Sequence, residues 1–180
     1  MPTIFSHAIF AGVAGKSFLK KPVSFWFWVL TAICAMIPDA DAIGFLFRVP
    51  YDSMFGHRGI THSFLFAVLF GTLVALLVHK YLKTGLSLAA LIVFFSSATF
   101  SHPLLDMLTN GGLGVALFAP FSSKRFFFPW RPIEVSPVGV RFFSNRGVSV
   151  ILSEIVWVWL PAIIIFIIAM IVRKVRKRNF

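Results

Sequence analysis

Three stretches of this chain, Ser63 to Val78, Leu86 to Phe100 and Ile151 to Val172, run almost without charge, and nothing else constrains the fold as strongly. A helix that crosses a bilayer needs about 20 mostly apolar residues, within a range of roughly 17–25. In lipid, backbone N–H and C=O groups must be satisfied internally, which leaves helices or closed barrels. Long continuous apolar runs, rather than short alternating ones, select helices. The first run is bounded by His62 and by His79-Lys80. The second extends to Leu108. The third is interrupted only by Ser153, Glu154 and Pro161.

Two weaker segments precede these. Val23 to Ile37 is rich in aromatics (Phe25, Trp26, Phe27, Trp28) and stops at Pro38, and Thr3 to Gly15 is short and carries Ser6 and His7. Joined through Lys16, Lys20 and Lys21, they read as a helical hairpin whose first helix can dip into the membrane without crossing it. The expectation is an all-α, multi-pass membrane bundle forming a single integral membrane domain over 1–180. It has four to five membrane segments, at about 3–15, 23–38, 62–79, 86–108 and 151–172, and a long interfacial loop over 109–150. That loop holds Phe126-Phe127-Phe128-Pro129-Trp130 and several turn signals. Aromatic and basic residues favour the lipid interface. A short re-entrant helix around Leu113 to Phe121 is expected there, in a loop that either anchors the surface or forms a lid or lipid platform.

Composition excludes other classes. Only 13% of residues are charged, against about 25% in a soluble domain. The net charge of +11 gathers beside apolar spans, notably at Arg173, Lys174, Arg176, Lys177 and Arg178. This reads as a topology signal and a contact with anionic membrane lipids, not as a nucleic-acid surface, because no aromatic-basic binding pattern accompanies it. The lone Cys34 forms no disulfide framework and reads as core or lipid-facing filler. Met1 to Phe10 does not read as a removable signal peptide. The positive-inside rule places the basic tail in the cytoplasm, with Lys16, Lys20, Lys21, Lys80 and Lys83 on the same side. Lys124, Arg125, Arg131, Arg141 and Arg146 then lie outside, in a long loop where the rule weighs less.

The six acidic residues and five histidines are the most informative feature. Following the alternation of helix directions, His7, Asp39, Asp41, His57, His62, His102 and Asp106 share one membrane face whichever face is outside. Ionisable groups at membrane depth are costly and mark function by default. Together they need a cation, and oxygen and nitrogen donors without thiolates suit zinc first, with manganese or iron as alternatives. Two carboxylates could bridge two metals about 3.5–4 Å apart. Asp39 and Asp41 point the same way if the loop is extended. His102 and Asp106 share a face if the helix continues through Pro103, although proline disfavours helical geometry in the residue before it. Gly56 and Gly59 let the loop turn His57 and His62 inward, with Thr61 as a candidate cap of the third segment. Arg58 fits a phosphate or a carboxylate, or simply pairs with an Asp. Asp52 and Glu134 are weaker contributors, His79 lies at the opposite face, and Glu154 begins the last span on the site face, where it could pair with a loop arginine or serve the site.

Ser6-His7, Pro38-Asp39-Ala40-Asp41, Gly56-His57-Arg58-Gly59-Ile60-Thr61-His62-Ser63 and Ser101-His102-Pro103-Leu104-Leu105-Asp106 resemble the YdjM-like family of bacterial inner-membrane proteins, described as metal-dependent hydrolases. The resemblance covers most of the chain up to about Gly139. It implies a bacterial inner-membrane location; the cytoplasmic placement of the basic tail then puts the site at the periplasmic or outer face. The ligand order is also similar to that of zinc-dependent phospholipase C and P1-type nucleases. By that resemblance His7, Asp39 or Asp41, His57 or His62, His102 and Asp106 would bind metal. No later His–His–Glu set completes a third zinc.

The expected function is a membrane-bound metal-dependent hydrolase. His7, Asp39, Asp41, His57, His62, His102 and Asp106 are the candidate ligands. Asp39 or Asp41 orients or deprotonates water, and Arg58 stabilises developing negative charge. A site at the membrane edge suits a phosphoester or lipid-linked substrate. The rivals are a non-catalytic metal-binding or transport-type membrane protein, and a protein whose polar cluster only holds helices together. The apolar far side of the spans argues against a conduit. Oligomeric state is not legible.

Overall fold

In a computed structural model the chain is helical, and residues 1–19, 21–137 and 142–178 are described. Lys20 and Arg141, and the side chains of Lys177 and Arg178, lie outside the described residues. Among the described residues six α-helices follow one another: α1 (Ile4–Phe18), α2 (Phe25–Met36), α3 (Phe64–Tyr81), α4 (Leu88–Met107), α5 (Asn145–Glu154) and α6 (Leu160–Arg178). A 3₁₀ segment, Ile37–Phe47, prolongs α2, and a wide turn, Ile155–Trp159, fuses α5 and α6 into one long helix.

Among the described residues four stretches are long and apolar enough to cross a membrane: Phe25–Phe47, Phe64–Tyr81, Leu88–Met107 and Asn145–Arg176. The protein is therefore an all-α membrane protein. The last span begins earlier than the apolar run suggested. With 15 residues, α1 reaches only about 22 Å at the α-helical rise, short of the roughly 30 Å hydrocarbon layer. It packs instead against α2, α4 and α6.

Lipid takes the place of water outside the bundle, so large apolar side chains cover the outer faces: Leu69, Leu73, Val93, Ile164 and Ile168 are exposed. The inside is filled by Phe27, Cys34, Ala35, Val74, Ala75, Leu91 and Phe95. Phe27 meets Phe94 and Phe95 at ring-centroid distances of 4.9 and 5.0 Å. Small residues on α3 (Ala67, Gly71, Ala75) let α4 approach closely, as membrane helices do where no hydrophobic force separates helix from lipid. Ser63 caps α3 by accepting the Phe66 N–H at 3.0 Å. Thr61, the expected cap, bonds elsewhere.

The expected helix around Leu113 to Phe121 does not form. Gly112 and Gly114 adopt φ of 87° and 82°, outside helical geometry, and Pro120 follows. The segment instead makes turns pinned to the site loop by Ala116 N–H to Arg58 O and Phe64 N–H to Leu117 O, both 2.9 Å. Among the described residues the only ladder contacts are isolated bridges, Thr109 with Ile133 and Val115 with Phe126.

The ends of the bundle differ in chemistry. At one end Lys21 Nζ donates to Gly85 O at 3.0 Å and Arg173 donates to Ser17 O. The other end gathers the acidic residues. There Glu154, fully buried, accepts hydrogen bonds from the Thr3 backbone N–H and from the Thr3 and Ser6 hydroxyls, the latter two at 2.6 Å. Trp159 Nε1 donates to Ser6 Oγ at 2.7 Å. Among the described residues, Glu154 thus ties the last span to α1 and not to an arginine. Replacing Glu154 by Gln puts an amide NH₂ among these donors, so one of them loses its acceptor. Hydrogen bonds to charged groups contribute about 1.5–3 kcal/mol each, and a loss of this order is expected as a lower midpoint in detergent unfolding.

Candidate metal centre

Asp39, His62, His102 and Asp106 come from four separate places, the end of α2, the loop before α3, and two successive turns of α4, and all are buried. α4 runs unbroken through Pro103, so His102 and Asp106 do share a face. Before α3 the chain is wound tightly. A Cβ on Gly56 would collide with the carbonyls of Pro50 and Tyr51, and one on Gly59 with those of Met54 and Gly56. Between them Arg58 takes a left-handed conformation with φ 63°. This coil turns both His57 and His62 inward.

The two Nε2 atoms of His62 and His102 face each other at 3.1 Å. Asp39 Oδ1 lies 3.3 Å from His102 Nε2 and 3.7 Å from His62 Nε2. Asp106 Oδ2 lies 3.4 Å and 3.9 Å from the His62 and His102 Nε2 atoms. In a tetrahedron with ligands at about 2.0–2.1 Å, the distance usual for zinc, ligand atoms stand about 3.3–3.4 Å apart. The measured separations bracket that spacing.

The far sides of both rings are fixed by acceptors. His102 Nδ1–H donates to Ala35 O at 2.7 Å. His62 Nδ1 lies 3.1 Å from Asp41 Oδ2. When both rings are neutral, two lone pairs face each other with the Asp39 and Asp106 carboxylates beside them. Such a group of donors could hold a metal ion. Burial lowers the basicity of His62, but the neighbouring Asp106, Asp39 and Asp41 carboxylates outweigh it and raise the pKa to about 10. An extra proton and a metal ion thus compete for the same position.

Asp41 does not point with Asp39. At about three residues per turn, i and i+2 in a 3₁₀ segment diverge, so the extended-loop expectation fails. Asp41 accepts from His57 Nδ1 at 2.6 Å, Thr61 Oγ1 at 2.6 Å and the Arg58 N–H at 3.1 Å. Together with His57 and His62 it makes a second group of potential ligands. Its spacings are hydrogen-bond lengths, as in an outer carboxylate that orients a ligating imidazole.

His7 stacks on His102, ring centroids 3.7 Å apart and 14° from parallel, with Nε2 3.7 Å from Asp106 Oδ1. Arg58 is fully buried: Nε stands 2.9 Å from Asp106 Oδ2, Nη1 donates to Gly111 O and Nη2 to Thr109 Oγ1, both at 3.0 Å. Its charge is thus engaged with Asp106 and the loop after α4. Asp52 and Glu134 join neither group among the described residues, and His79 is exposed at the opposite end of α3.

One residue carried no sequence signal as a site element. Arg125 donates to four backbone carbonyls, those of Tyr51 at 2.9 Å, His57 at 3.1 Å, Ser53 at 3.2 Å and Gly114 at 3.3 Å. It fastens the histidine loop to the long loop.

Fold and site define a multi-pass helical membrane protein with buried Asp/His groups able to bind a metal ion. The chain belongs to the family described as YdjM inner membrane protein, which it matches over residues 1–178. It is 39% identical over 166 residues to the inner membrane protein YbcI of Escherichia coli (strain K12), covering 92% of this chain and 95% of that one. No solved structure matches it. These matches lend nothing to the likeness with phospholipase C and P1-type nucleases.

Proposed function

We propose that this protein is a membrane-bound metal-dependent hydrolase acting on a phosphoester with a lipid tail. The observation that carries this reading is the convergence of two Nε2 atoms and two carboxylates at metal-ligand spacing. The Asp39, Asp41 and Asp106 carboxylates outnumber the Arg58 guanidinium beside them, which favours binding of a cation. Zinc suits the nitrogen and oxygen donors, with manganese or iron as alternatives.

When bound, the ion would polarise the scissile group and acidify a water molecule. His62, His102 and Asp106 would hold it, and Asp39, the fourth converging donor, would give up its place to a bound water. Asp41 and Ala35 orient the two imidazoles from behind. Asp106 is held in turn by Arg58. Asp39 retains 8% exposure and its oxygens make no hydrogen bonds, so it is the group that receives a proton from water. The phosphoester assignment follows from location. The site lies at span ends, and the segments that carry or pin its residues also carry exposed Phe47, Phe55 and Phe121, and Arg48 and Lys124. Exposed aromatic and basic residues of this kind belong at the level of lipid headgroups. With the basic tail in the cytoplasm, the site faces the periplasm.

The test is turnover of phosphatidic acid and of a chromogenic phosphodiester by detergent-purified protein. Activity should vanish with dipicolinate and return with zinc or manganese. Asp39→Asn should keep most of the metal and lose at least about a hundredfold in rate, the contribution of a positioned base. Bound metal with no turnover on any phosphoester would leave the non-catalytic reading in its place.

A further inference from the structure

A groove of about 910 Å³ runs between α1 and α4, with Ile165 of the last span at its edge. Its α4 wall extends from Leu86 to Leu104, and its α1 wall from Phe10 to Leu19. It is almost wholly apolar, with only Ser97 and Ser101 carrying side-chain hydroxyls. Val93, on the α4 wall, is 66% exposed, so the groove opens sideways into the hydrocarbon layer.

The groove runs along the helix rows that lead to the metal centre. On α1, Ala11 and Ala14 stand one and two turns from His7, in the same row. On α4, Ala98 and Phe94 stand one and two turns from His102. Residues three or four apart on a helix are neighbours on one face. The stacked rings of His7 and His102 therefore head the two walls. His7 is fully buried, and neither ring nitrogen forms a hydrogen bond.

At this depth only hydrocarbon or another helix could fill the space. From Ala89 to Leu104 the wall is about 22 Å long at the helical rise, long enough for an extended acyl chain. A single extended chain fits, and the volume lies within the roughly 300–1,000 Å³ of small-molecule sites.

We propose that the groove seats one acyl chain of a glycerophospholipid whose phosphate lies at the Asp39, His62, His102 and Asp106 centre. The position of the phosphate rests on the hydrolase reading; the seat of the chain rests on the groove. Full-length protein in phosphatidylglycerol nanodiscs is labelled with a phosphatidic acid bearing a mid-chain diazirine, and the labelled peptides are mapped. Peptides from 11–18 and 89–98 should carry at least about fivefold more label than the lipid-facing α3 peptide containing Leu69 and Leu73, a preference of about 1 kcal/mol. Ala14→Trp and Ser97→Leu, two independent ways of filling the groove, should each bring this down to the α3 level, whereas Leu69→Trp should not.

Labelling should persist after dipicolinate strips the metal. Loss of turnover with retained labelling would therefore count against the hydrolase reading and leave the groove standing. Equal labelling of α1, α3 and α4, or labelling undiminished in both filled variants, would overturn the proposal. So would shielding of the groove in a species of twice the mass, which would place a helix from a second copy there.

Discussion

Changing His102 to alanine is expected to bring the metal content of the purified protein down to background. The change removes one of four converging donors and frees the Ala35 carbonyl that had fixed its tautomer. Losing even an outer partner of a metal ligand typically costs about 10–100-fold in affinity. Losing a donor itself should exceed that, and no neighbour among the described residues stands ready on the Ala35 side to replace it. Asp41→Asn provides the graded comparison: His62 keeps its place but loses its carboxylate acceptor, so metal should remain at saturating concentration and bind about 10–100-fold more weakly. Elemental analysis of protein purified without chelator reads both. Unchanged stoichiometry in His102→Ala would remove it from the ligand set.

Arg58→Ala is expected to have the largest effect on stability. The guanidinium is fully buried and is the charge paired with Asp106. Removing one partner of a buried ion pair costs about 3–5 kcal/mol, because the other charge is left uncompensated. Here the loss of the bonds to Gly111 and Thr109 adds to it. Arg58→Lys should recover little. A lysine carries one compact ammonium where the native side chain makes three contacts from a planar fork. Reversible unfolding in mixed micelles, with metal present and absent, measures the difference. If the lysine variant matched the native midpoint, charge alone rather than the fork would be what matters.

Much of this site could be read from the sequence because a membrane reduces geometry to parity. Once the apolar runs are placed, each helix end belongs to one of two faces, and His7, Asp39, His62, His102 and Asp106 fall on the same one without knowledge of any contact. What parity cannot give is direction around an axis. Asp39 and Asp41 were expected to point together, and the 3₁₀ winding of Ile37–Phe47 separates them. Pro103 argued for a break, yet α4 continues, with hydroxyls of Thr99 and Ser101 bonded back to carbonyls of the preceding turn at 2.9 and 2.7 Å. Of the readings open for Arg58, pairing with an Asp is the one the structure shows, while nothing in its motif reveals Thr109 and Gly111, some fifty residues downstream. Arg125 was unreadable for the same reason, since its partners are backbone carbonyls, which every residue has.

The donors to the centre are spread from Asp39 to Asp106, with His7 stacked on them from the start of the chain. None of them can be satisfied until the hairpin of α3 and α4 has entered the bilayer and closed on α2. Early carboxylates must therefore wait at the membrane edge, hydrated, while later helices are still being made. Cation capture would then come last in biogenesis and act as a clasp on an assembled bundle. On this view, starving growing cells of the ion would leave newly made chains looser and more readily degraded than those already in place.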